Sequence, residues 1–247
     1  MLMLSLVETF IRRADRYLLS KNYQEAEKIY NQILIKFPNN LRAKKGLLAL
    51  KEHNVQIIIT PQKDLDNLIL FYHKNKIEEL INEGNKLFKV YPKCYLLLNI
   101  VASGYAAQNQ LDTAINLYKK AITLKNDYHD AYYNLGMMYY RKSNQKLAEF
   151  YFKKTIMLCS NHYQSYNDLG NIYRNKNEIE MALTCYNKSK SINPKYSEVY
   201  TNLGTIYRDL GMSKKSISYY QKALTINKNQ PEALYNLSLF QLSYNNF

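Results

Sequence analysis

Nine residues recur almost word for word along this chain, as Ala131-Tyr132-Tyr133-Asn134-Leu135-Gly136-Met137-Met138-Tyr139, then from Ser165 to Tyr173, then from Val199 to Tyr207. Gly136, Gly170 and Gly204 fall 34 residues apart. A fixed period of this length excludes an ordinary globular core, because a unit so short must bury its apolar face against the next one. Length divided by a typical domain size is therefore no guide to how the 247 residues are organised.

Within one period, Tyr132, Leu135 and Tyr139 lie at i, i+3 and i+7, one face of a helix. Leu147, Ala148, Tyr151, Phe152 and Thr155 repeat that spacing after a polar break at Arg141–Gln145. Each unit thus reads as two antiparallel helices. A glycine inside the first helix costs about 1 kcal/mol against alanine, which a close approach of the second helix at Ala148 is expected to offset. The Leu-Gly-x-x-Tyr core, a later Ala and a closing Pro resemble the tetratricopeptide (TPR) repeat, which implies an all-α, right-handed TPR solenoid of antiparallel helix pairs. The expected core is Tyr132, Leu135, Tyr139, Phe152, Tyr166, Leu169, Tyr173, Tyr186, Tyr200, Leu203 and Tyr207.

The repeat frame divides the chain. Residues 1–52 read as an N-terminal TPR hairpin plus a lone helix, with Ala14 where later units have Gly, Asn22 as an N-cap and Pro38 as a stop. Residues 53–60 carry Val55-Gln56-Ile57-Ile58-Ile59-Thr60 before Pro61, a β-branched run expected to be an extended or irregular linker. From 61 to 247 runs an array of units 61–94, 95–128, 129–162, 163–196 and 197–230, then a half-unit 231–247. Unit 61–94 is degenerate, with Leu68, Leu80 and Leu87 where small residues belong and Gly84 where an aromatic belongs. In the half-unit, Leu237, Phe240 and Leu242 with Leu239 and Phe247 make an apolar surface that is expected to be covered by another helix, a following domain or a second copy, giving self-association.

The formal charge of +14 raises anionic partners, but the excess is Lys spread along every unit and no run of five like charges occurs. Clustering is the footprint of nucleic-acid binding, so that partner is not expected. Cys94, Cys159 and Cys185 share no zinc or redox spacing and read as buried thiols of a reducing, cytoplasmic compartment. Met1–Val7 lacks a preceding basic residue and is interrupted by Glu8, unlike a secretory signal; no stretch has the length of a membrane span. His53, His73, His129 and His162 show no metal-ligand spacing, and neither a phosphate loop nor a nucleophile elbow is present. The expectation is a non-enzyme without cofactor or metal.

Recognition is the better reading. At the sixth place of successive units stand Asn134, Asp168, Asn202 and Asn236, and a carboxamide donates and accepts together, as a peptide backbone requires. This row resembles the asparagine ladder with which the TPR superhelix of O-linked N-acetylglucosamine transferases holds extended peptides, broken here by Asp168 and ended by Ile100. Tyr133, Tyr140, Asn171, Arg174 and Arg208 complete the candidate groove, together with Met137, Asn167, Thr201 and Thr205. Two arginines one repeat apart suit an acidic ligand. The carboxylate clamp of chaperone-binding TPR domains is matched at Asn171 but lacks its lysine, replaced by Tyr133, Asn167 and Thr201. The run Phe37-Pro38-Asn39-Asn40-Leu41-Arg42-Ala43 before a linker and an array resembles the N-terminal half of bacterial TPR–sulfotransferase or TPR–glycosyltransferase proteins. Two readings follow: a scaffold binding protein or extended peptide on its concave face, or the substrate-recruiting arm of such a transferase.

Overall fold

Pro38, Pro92 and Pro194 lie between helices and Pro231 opens one, as a residue without an N–H must. The computed structural model describes residues 2–20, 22–58 and 62–244. Among them are α1 (Leu2–Leu19), α2 (Tyr23–Lys36), α3 (Leu41–Ile58), α4 (Gln62–His73), α5 (Ile77–Val90), α6 (Tyr95–Ala107) and α7 (Leu111–Leu124). There follow α8 (His129–Arg141), α9 (Gln145–Leu158), α10 (Tyr163–Asn175), α11 (Ile179–Ile192), α12 (Ser197–Asp209), α13 (Ser213–Ile226) and α14 (Pro231–Tyr244). No strand occurs among the described residues. The chain divides into two compact units, Met1–Leu97 and Leu98–Phe247.

In the first unit α1, α2 and α3 pack around Ile11, Ala14, Ala26, Tyr30, Ala43 and Leu50. The Tyr30 ring lies where a side chain on Gly46 would stand, and its hydroxyl donates to Asp15. Asn22 is at the N-cap of α2 but makes no side-chain cap bond. In α4 and α5, Leu65, Leu68, Leu80 and Gly84 are buried.

The segment expected to be an irregular linker is corrected here. Helix α3 runs on to Ile58, so residues 53–58 are helical, and 59–61 lie outside the described residues. β-Branched residues cost only tenths of a kcal/mol in a helix, and extending an existing helix avoids the nucleation cost. The compact units also part within α6, not at 53–60.

In the second unit the pairs α8/α9, α10/α11 and α12/α13 pack as hairpins, each on the next, and α14 packs on α13. Every hairpin turn has one solution. Asn109, Ser143, Asn177 and Gly211, each at the fifteenth place of its unit, take positive φ of 62°, 59°, 61° and 73°. The following amide then closes back on the first helix, Asn144 N to the Tyr139 carbonyl at 2.9 Å and Glu178 N to that of Tyr173 at 2.8 Å. This is the left-handed C-cap that ends a helix without leaving its last carbonyls bare. The turn in α4/α5 of the first unit uses Asn75 at 56° in the same way.

The helical glycines also differ from expectation. A Cβ on Gly136 would stand 2.7 Å from the Phe152 ring, and one on Gly170 2.4 Å from the Tyr186 ring. Each glycine thus opposes the large aromatic of the second helix, not Ala148, and a flat ring lies directly on backbone. Of the expected core, Leu135, Phe152, Leu169, Tyr173, Tyr186, Tyr200 and Leu203 are buried. Tyr132, Tyr139, Tyr166 and Tyr207 are only half-buried. Tyr139 stacks on Tyr151 at 5.5 Å and Tyr207 on Tyr219 at 5.3 Å, and the Tyr132 ring lies 6.4 Å from Tyr151, with Lys119 over the Tyr139 ring and Lys215 over that of Tyr207.

At the far end, Leu237 and Phe240 pack against the core of the unit, contrary to the expectation that they lack a neighbour. Leu234, Tyr235 and Leu239 stay exposed, and the side chains of Leu242 and Phe247 lie outside the described residues. Cys94 is buried, whereas Cys159 and Cys185 are half-buried. No described helix is long and apolar enough to cross a membrane.

Candidate functional site

The sixth-place row is bonded from repeat to repeat. Asn134 Nδ2 donates to Asn99 Oδ1 at 3.1 Å, the Tyr133 hydroxyl to Asp168 Oδ2 at 3.0 Å, and Asn202 Nδ2 to Asn167 Oδ1 at 2.9 Å. Each pair joins the fifth place of one unit to the sixth place of the next. The first helices α6, α8, α10 and α12 therefore meet through one polar bond at the same height, whereas at α14 Asn236 bonds Arg208 and its own helix instead. Asn167 is fully buried and donates onward to Glu198 at 3.2 Å; Thr201 is also buried. Asn236, only 6 % exposed, donates to the Glu232 carbonyl at 2.7 Å and accepts from Arg208. Each of these asparagines thus spends one amide hydrogen on a bond within the protein.

Asp168 is the anomaly in the row. Its carboxyl is enclosed, and burial, aided by the nearby Glu198, pushes it up to about 7 against the pull of hydrogen bonds from Tyr133 and Asn167. Desolvation outweighs both donors because a charge loses more than two neutral hydrogen bonds return. Tyr133 is held above the ordinary tyrosine range by burial and by Asp168, and its ring lies 4.6 Å from that of His162.

The ninth-place residues cap the buried aromatics. The Tyr186 hydroxyl donates to Asn171 Oδ1 at 2.8 Å and that of Tyr220 to Thr205 at 3.2 Å, while Tyr118 and Ser103 lie 2.9 Å apart. Asp15 serves Tyr30 in the same way. Where the aromatic is Phe152, which has no hydroxyl, the ninth residue is Met137. This pairing, fifteen residues apart, could be read in the sequence from the matched exchange of polar for apolar partners.

The arginines differ in their commitments. Arg141 donates to the Ala106 carbonyl at 2.8 Å and to Asn109 at 3.1 Å, and Arg208 to Asp209 and Asn236. Arg174 is half-buried, lies near the Tyr186 hydroxyl as Tyr140 does, and forms none of the ion pairs found among the described residues. Tyr140 and Met137 pack against the core as partly buried residues. Asn171 thus bonds the Tyr186 hydroxyl, on which Arg174 and Tyr140 also act electrostatically, while Arg208 of unit 197–230 bonds Asn236 of the half-unit that follows.

The sequence reading missed one cluster. His129, Asp130 and His162 place ligand atoms within 4.8 Å of one another, although 33 residues separate the histidines, one short of the repeat. His162 is the N-cap of α10, with Nδ1 accepting from the Ser165 N–H at 3.2 Å. Burial and, secondarily, His129 hold its imidazole below the usual range.

Family models described as TPR repeat match residues 103–143 and 170–211, and models described as tetratricopeptide repeat match 129–162 and 197–230. No curated protein matches the sequence. Among solved structures, a thermophilic TPR protein of Thermus thermophilus superposes with a TM-score of 0.62 at 16% identity, over 73% of this chain and 98% of that one. PilF of Pseudomonas aeruginosa gives 0.60 at 14%, over 94% and 96%. YrrB, described as a TPR protein with an unusual peptide-binding site, gives 0.54 at 18%, over 71% and 90%. At these identities the likeness concerns the fold. The repeated helix pairs and the left-handed turns give this chain the all-α TPR fold, with tetratricopeptide repeats matched within residues 103–162 and 170–230.

Proposed function

We propose that the second unit is a scaffold that binds an extended, acid-bearing protein segment at the face formed by Tyr140, Asn171 and Arg174. The observation that carries this reading is the half-buried Arg174, which pairs with no acid among the described residues while Arg141 and Arg208 hold hydrogen bonds within the chain. A planar fork of donors beside a tyrosine suits a carboxylate. Asn134 and Asn202, engaged through their amide nitrogens, keep carbonyl oxygens for a ligand's N–H groups, whereas the Asn236 oxygen already accepts from Arg208. The TPR fold supports protein binding in general, and the peptide-binding site in the description of YrrB supports a peptide in particular.

Fluorescence anisotropy with two labelled peptide pools of equal length, one acidic and one basic, tests the proposal on the intact chain. The acidic pool is expected to bind, and Arg174→Ala to weaken it roughly tenfold, the worth of one charge-assisted hydrogen bond. Arg12→Ala, in the other unit, is expected to change nothing. Equal binding of both pools, or full affinity in Arg174→Ala, would remove the basis of this assignment.

A further inference from the structure

The histidine cluster has the geometry of a ligand set. His129 opens α8, Asp130 follows it, and His162 caps α10 one repeat later. His129 Nδ1 stands 3.2 Å from Asp130 Oδ1, yet it is buried and makes no hydrogen bond. The nitrogen and the oxygen lie side by side, without an N–H aimed between them. Two donors bound to one tetrahedral zinc at about 2.0–2.1 Å are separated by about 3.3 Å, so this edge is already at the required length. The His162 ring supplies the third group, all ligand atoms lying within 4.8 Å.

We propose that His129, Asp130 and His162 form a binding site for a divalent transition-metal ion of the zinc class, with the fourth position left to water or to a partner's side chain. Two imidazoles and one carboxylate favour zinc, cobalt or nickel over the oxygen-seeking calcium and magnesium. Both histidines stand at helix N-termini, where the backbone dipoles disfavour a cation, and the Asp130 carboxylate is what offsets them. When His162 ligates through Nε2, its remaining proton sits on Nδ1, and the buried Ser165 hydroxyl, 3.0 Å away, is placed to accept it. Ser165 thereby becomes a positioning residue for the ligand ring, at the expense of the cap that its N–H now makes.

Calorimetric titration of the intact chain with Zn²⁺, and visible absorption after addition of Co²⁺, test the site. One ion per chain is expected, with a cobalt spectrum of nitrogen and oxygen ligation. His129→Gln, Asp130→Asn and His162→Asn should each weaken binding roughly tenfold or more, since even outer partners of a metal ligand are worth that much. Asn is itself a good N-cap, so His162→Asn keeps α10 folded, and an unchanged helical melt shows this. Cys159→Ser and His73→Gln should leave affinity unchanged. Absence of saturable binding, retention in Asp130→Asn, or loss in Cys159→Ser with a thiolate spectrum would each overturn the proposal.

Discussion

Asp168 and Phe152 are the residues at which this array departs from its own rule. Asp168 sits where the adjacent units carry Asn134 and Asn202, and its carboxyl titrates near 7 because burial opposes the charge. A folded pKa raised above the unfolded value of 3.8 means that stability is complete below about pH 4 and is lost as pH rises through about 7. Asp168→Asn is therefore expected to raise the melting temperature at pH 8, by on the order of 1–3 kcal/mol of stability. The gain should fade towards pH 4, and a gain that did not depend on pH would show the carboxyl to be solvated. Phe152 supplies the second test. Phe152→Tyr should cost about 1–3 kcal/mol by burying a hydroxyl beside Met137, and adding Met137→Thr should recover most of it, because Tyr220 and Thr205 already make this bond. Additive losses in denaturant melts would mean that the two positions are not paired.

At the scale of one element, the hairpin turn shows how backbone conformation selects residue type. Four turns place Asn75, Asn109, Asn177 or Gly211 at the positive-φ position, whereas α8 ends at Ser143 with φ 59°. Asn and Gly tolerate the left-handed region, and Ser does so at greater cost. Ser143→Gly is expected to stabilise the chain by about 0.5–1 kcal/mol, the relief of strain exceeding the added entropy of the unfolded glycine. Ser143→Val should lose more than that, and thermal melts of the two variants decide the matter. Gly170 carries the opposite lesson. Alanine there would gain about 1 kcal/mol of helix propensity, but its Cβ would enter the ring of the fully buried Tyr186. Overpacking of about 1–3 kcal/mol outweighs that gain.

Across the second unit, stability is a sum over hairpins and the contacts between neighbours. Asn134 to Asn99, Tyr133 to Asp168, and Asn202 to Asn167 are the polar part of those contacts, beside the packed tyrosines. Damage should therefore be graded along the array. Native-state hydrogen exchange of Gly170→Ala is expected to show the greatest loss of protection in α10 and α11, less in α9 and α12, and least in α7 and α14. A uniform loss over the unit would indicate one cooperative block instead of nearest-neighbour coupling.

The 34-residue period, the helical spacing of Tyr132, Leu135 and Tyr139, and the prolines between units determined the TPR fold from the sequence alone, because local periodicity is what drives a repeat to bury one face. The candidate face was legible only in part. Asn134 and Asn202 were visible as a row, but whether a carboxamide meets a ligand or the next helix depends on how closely two first helices approach, and no spacing within one helix states that distance. The ring placed on Gly136 and Gly170, in place of a crossing at Ala148, was hidden for the same reason. The continuation of α3 through residues 53–58 reflects an existing helix extending over weakly opposed β-branched residues. His129, Asp130 and His162 met because His129 opens one first helix and His162 caps the next, and only the stacking of α8 beside α10 turned that spacing into a distance of a few ångströms.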